Sequence, residues 1–71
     1  MTWNYRIIHY KDGGYGLHEV FYKKEGKIDG WTQQPINFVC EEEEGSQSIM
    51  ESLWVALKDC SLPVLEEKDI E

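Results

Sequence analysis

The chain of 71 residues has no apolar run near the roughly 20 residues that a membrane-spanning helix requires. Its opening, "MTWNYRII", has neither the basic start nor the apolar stretch of a secretory leader, so a soluble protein is expected. Cysteine is scarce. Cys40 and Cys60 cannot build a disulfide framework, and they lack the close spacing of a zinc or redox motif. A reducing, cytoplasmic setting fits such usage. Basic residues are also few: seven Lys and Arg stand against fourteen Asp and Glu, a formal charge of −7. Direct binding to nucleic acid, which relies on cations neutralising phosphates, is disfavoured. There are no internal repeats and no low-complexity linker, so residues 1–71 read as one domain.

A domain this small buries only about 60% of the surface its unfolded chain exposes. Its stability is marginal, and a partner chain is one of the usual remedies. What is present is an alternating amino-terminal half. "WNYRIIHY" places Trp3, Tyr5, Ile7 and His9 on one strand face and Asn4, Arg6, Ile8 and Tyr10 on the other. "KDGG", with its Asp-Gly pair, predicts a hairpin turn, and "YGLHEVFY" predicts the returning strand. A second turn falls at "KEGK". "KIDGWTQQPINFV" predicts a third extended stretch that Pro35 keeps from the middle of a sheet.

From Ser46 or Ser48 to Cys60 the period becomes helical. Ile49, Leu53, Ala56, Leu57 and Cys60 form a stripe that Met50 and Trp54 widen. Ser48 and Glu51 match a capping box, with Ser46 as a competing cap, and Pro63 stops the helix. "LPVL" then either adds a short edge strand or packs along the sheet. The expected fold is α+β, in the order β-β-β-α: an antiparallel sheet of three or four strands with one helix packed on one face. Ile49, Leu53, Leu57 and Cys60 are expected to face the sheet, and residues 66–71 to form a flexible acidic tail.

His18 and Glu19 stand side by side like an acid–base pair, but neighbours on a strand point to opposite faces. Glu19 then lies in an apolar row with Leu17 and Phe21, and an acid so placed needs a partner. Arg6 on the adjacent strand is the candidate. His9 and His18 lack further ligands at metal-binding spacing. The glycines of "DGGYG" lead into a strand, whereas a phosphate-cradling loop opens a helix. No catalytic residue, cofactor site or metal site is read from the sequence.

Nine aromatic residues are more than one helix can cover over a small sheet. The remaining sheet face, with Trp3 and Trp31, is expected to pair with a symmetry mate as a homodimer. Acidic residues gather at Glu41–Glu44 and in "EEKDIE", Glu66–Glu71. The first run reads as a solvated loop, or else as a mimic of phosphate charge offered to a basic protein.

"WNYRII", "YGLHEVFY", "GWTQQPI" and "LPVL" together resemble a family of short uncharacterised bacterial proteins with WNYR, G-[IL]-HEV, GWT-Pro and PVL motifs. The resemblance spans most of Trp3–Leu65, although "VCEEEEG" departs from it. It implies that Trp3, Asn4, Tyr5, Arg6, His18, Glu19, Trp31, Thr32 and Pro35 belong to a recurring pattern. More loosely, the element order resembles the β-β-β-α core of HicB-type antitoxins, which bind a small basic toxin. Fold alone does not settle function. The expected binding surface comprises Trp3, Tyr5, Arg6, His18, Glu19, Trp31 and Thr32. The expected role is a non-enzymatic, acidic protein-binding module, antitoxin-like or inhibitory toward a basic protein. The alternative is a small-molecule or catalytic site built from His18, Glu19 and Arg6.

Overall fold

The computed structural model describes residues 2–71. Strand β1 spans Thr2–His9, β2 Tyr15–Tyr22 and β3 Ile28–Trp31. A 3-10 turn occupies Glu42–Glu44, helix α1 spans Gln47–Asp59, β4 is Leu65–Glu66, and one helical turn, α2, covers Glu67–Ile70. The fold is α+β, with strands in the order β3-β2-β1-β4. No helix among the described residues is long and apolar enough to cross a membrane.

Both hairpins turn by the same device. Gly13 N–H returns to the Tyr10 carbonyl, and Gly26 N–H to the Lys23 carbonyl. Both glycines have positive φ, 97° and 86°, which side-chain-bearing residues resist. The first turn sets a register in which Arg6 lies opposite His18 and Tyr5 opposite Glu19. Opposed residues share a face, so all later geometry follows from that register.

The third strand is shorter than its extended sequence. It ends at Trp31, yet Ile36 N–H still reaches the Leu17 carbonyl at 2.8 Å. The chain beyond Pro35 therefore runs along the β2 margin, where Phe38 brings its ring to 6.0 Å from Tyr5.

Three sequence expectations are corrected here. The sheet is mixed, because β4 pairs parallel to β1, with Ile8 opposite Leu65 and His9 opposite Glu66. Where the sequence reads as a flexible acidic tail, residues 66–71 hold the end of β4 and α2, tied back by His9–Glu66 and Lys11–Glu71 contacts. Helix α1 is rotated from the expected face, keeping Ile49, Ala56 and Cys60 inward but turning Leu53 and Leu57 out. Ala56 is its buried residue and Ser48, Ile49, Ser52, Asp59 and Cys60 are half-buried, whereas Leu53 and Leu57 are exposed. Ser46 does precede α1, but without a capping side-chain bond.

The interior is divided between the two sheet faces. Tyr5 and Ala56 are buried on the α1 side, and Ile8, His18 and Val20 are fully or almost fully buried on the other. The face expected to stand open for a symmetry mate is thus closed at its centre. The carboxyl-terminal segment lies against it: the Pro63 carbonyl bonds Arg6, and Glu67 borders a cleft with Trp31, Thr32 and Gln33.

Candidate functional site

His18 is 1% exposed, and both of its ring nitrogens are engaged. Nδ1 lies 2.8 Å from the Thr32 carbonyl oxygen and 3.2 Å from Thr32 Oγ1. A carbonyl can only accept, so Nδ1 carries the proton. In the tautomer with that single ring proton, Nε2 accepts from the Tyr10 hydroxyl, 2.6 Å away. Trp31 closes the site edge-on at 5.3 Å. Gly16 is required for the approach, because a Cβ there would lie 1.8 Å from the Tyr10 hydroxyl. The imidazole has no free nitrogen and no path to solvent. It acts as an internal tie between β2, the first turn and the segment after β3.

Arg6 shares that face. One guanidinium nitrogen donates to the Tyr22 hydroxyl at 3.0 Å, and Tyr22 in turn donates to Asn4 Oδ1 at 2.7 Å. The other terminal nitrogen donates to the Pro63 carbonyl at 2.6 Å, and buried Nε has no partner among the described residues. Arg6 therefore fastens the carboxyl-terminal crossover onto the sheet. It does not meet Glu19, because Arg6 pairs across the strands with His18 while Glu19 pairs with Tyr5 on the opposite face. The expected Arg6–Glu19 ion pair is absent for that reason. The three residues of the catalytic alternative do not converge.

The α1 side is built on Tyr5. Its backbone N–H donates to Asp59 Oδ2 at 3.0 Å, joining the outer edge of β1 to the end of the helix. Burial raises the hydroxyl pKa above its usual value, and the Glu19 carboxylate opposite adds to the rise. A bond to the Ser52 hydroxyl works the other way, and the Asp59 charge adds a smaller rise. Small residues make this packing close. Ser48, Ser52 and Ala56 recur every four residues, and that row is what the sheet accepts.

The consequence is an outer face of α1 whose large apolar side chains no other described residue covers. Met50, Leu53, Trp54 and Leu57 follow the i, i+3, i+4, i+7 spacing of one helical stripe, and all four are exposed. They line a shallow depression together. Among the described residues, no three His, Cys, Asp or Glu side chains gather in a way that could hold a metal ion.

The seven residues expected to form one surface are split by the sheet. Trp3, Tyr5 and Glu19 belong to the α1 side, and Arg6, His18 and Trp31 to the other. Thr32 lies past the end of β3, bonded to His18. Trp3 is the exposed one among them, its ring 5.2 Å from that of Tyr5. Of the stripe expected to face inward, Leu53 and Leu57, with Met50 and Trp54, point outward, whereas Ala56 is buried and Ile49 and Cys60 are half-buried. The Ser48-Ser52-Ala56 row was the signal for its true direction.

Comparisons with family models, with curated proteins and with solved structures return no match for this chain. The functional reading rests on the geometry.

Proposed function

We propose that this chain is a non-enzymatic protein-binding module that makes its contacts through the outer face of α1. One observation carries the reading: Trp54, flanked by Met50, Leu53 and Leu57, is 68% exposed on a regular helix. Contiguous exposed apolar patches mark interaction sites, and a tryptophan at the centre of one is the residue type most enriched among binding hot spots. The chain is acidic overall, at −7, a charge that favours encounters with a basic protein. Glu41–Glu44 lead into α1 and carry much of that charge. Free thiols at Cys40 and Cys60 suit a reducing, cytoplasmic setting.

The test is a photo-crosslinking residue placed at position 54, with position 24 in the second hairpin turn as control. Adducts with another polypeptide from position 54, and none from position 24, are expected. Adducts formed equally from both positions would overturn the assignment of the surface.

A further inference from the structure

We infer that the occupant of this stripe is a second copy of the chain, its α1 antiparallel to the first about a two-fold axis. The inference rests on the interface reading above and names what fills it. The isolated chain is under-buried for its mass. It exposes 5481 Å², whereas a folded monomer of its size exposes roughly 4,600 Å². Its radius of gyration is 13.1 Å, against about 11 Å for a compact chain of this length. The excess is close to the ~800 Å² that each partner contributes to a standard interface.

The stripe supplies much of that area. Met50, Leu53, Trp54 and Leu57 are 53%, 48%, 68% and 67% exposed. At roughly 200 Å² for a large side chain, they offer on the order of 450 Å² per chain. Two copies then approach the ~1,000 Å² at which a specific interface begins.

Charge fixes the occupant and its direction. Glu51 and Lys58 are seven residues apart, so both lie on the flank beside Trp54. In an antiparallel pair each flank meets its own counterpart. Glu51 of one copy therefore faces Lys58 of the other, and the reverse, giving two equivalent ion pairs from one self-complementary patch. Antiparallel packing also sets the amino end of each helix dipole beside the carboxyl end of its neighbour. It separates the acidic runs Glu42–Glu44 as well. They precede helices of 13 residues, about 20 Å long, and that separation exceeds the Debye length of ~8 Å at physiological salt. Parallel packing would bring the runs together. In the antiparallel pair they remain at the two ends, free for a basic protein.

Sedimentation equilibrium over about a 100-fold concentration range tests this. The wild-type chain is expected to shift from monomer to dimer. Trp54→Glu should abolish the dimer while leaving the thermal transition of the dilute monomer in place. Lys58→Glu should weaken pairing by roughly threefold to tenfold, as should Glu51→Lys. The double exchange Glu51→Lys/Lys58→Glu should recover most of the loss. A wild-type monomer throughout, a dimer indifferent to Trp54→Glu, or a double exchange no better than the single variants would each overturn self-pairing. A soluble gadolinium chelate read on the Trp54 indole N–H separates the two levels. A monomer whose indole signal broadens loses only the second copy as occupant. A monomer whose indole signal is protected loses the interface reading too.

Discussion

The two faces of α1 invert the usual arrangement of an amphipathic helix. The inner face offers Ser48, Ser52 and Ala56 to the sheet and brings a carboxylate, Asp59, to a backbone N–H of β1. The outer face carries Met50, Leu53, Trp54 and Leu57 to solvent. A helix that spends its largest apolar residues outward gains little from its own domain. It is built for close approach on one side and for a further layer on the other. Burying an apolar group stabilises by about 25 cal/mol per Å², so the unspent stabilisation on the outer face is substantial.

The largest expected effect comes from comparing side chains of similar size in the two settings. Ile8 is fully buried, so Ile8→Ala should cost about 2–5 kcal/mol through lost transfer energy and a residual cavity. Leu57→Ala, measured in dilute monomer, should stay within about 0.5 kcal/mol, as exposed substitutions do. Urea denaturation of both variants makes the comparison. A Leu57→Ala loss as large as that of Ile8→Ala would mean that the outer face is in fact interior.

The inner face is tested by crowding it. Ala56 is the buried residue of α1, and the row it belongs to is small because the sheet lies close. Ala56→Leu should cost about 1–3 kcal/mol from overpacking, despite the good helix propensity of leucine. A neutral result in the same denaturation assay would show that the helix stands off from β1.

How much of this was legible turned on what each signal encodes. Strands β1 and β2 were readable because alternation and the Asp12-Gly13 turn agree. The start of α1 after Ser46 was readable from the change of period. The helix face was not. Eight apolar positions from Ile49 to Cys60 span too wide an arc to name one inward side. Hydropathy ranks side chains by size and polarity, whereas close packing on a sheet selects small ones. Arg6 against Glu19 failed for a register reason: the five-residue connection from Tyr10 to Gly14 pairs even positions with even ones. The parallel pairing of β4 left no mark, since two residues carry no period.

A smaller effect belongs to the join between helix and strand. Asp59 accepts the Tyr5 backbone N–H, and without it that edge donor of β1 loses its protein partner. Asp59→Ala should cost about 1 kcal/mol, and Asp59→Asn, which keeps an acceptor oxygen, should recover part of it. Equal losses in both variants by thermal unfolding would assign the effect to charge instead of to the hydrogen bond.

The smallest effect is a pH dependence confined to the alkaline limb, and it reports on the inner face alone. The Tyr5 hydroxyl holds its proton more tightly when folded than its usual pKa near 10 allows, through burial first and the Glu19 charge second. The unfolded chain releases that proton at about the usual value, so the folded state binds more protons between the two pKa values. Stability should therefore fall as pH rises above about 10, and this contribution should be flat below it. Other groups also titrate there, so the informative quantity is the difference between wild type and Tyr5→Phe. The melting temperature followed from about pH 9 to 11 should decline more steeply in wild type, whatever offset the lost Ser52 bond introduces. Parallel declines would mean that the hydroxyl is solvated and that α1 does not close over Tyr5.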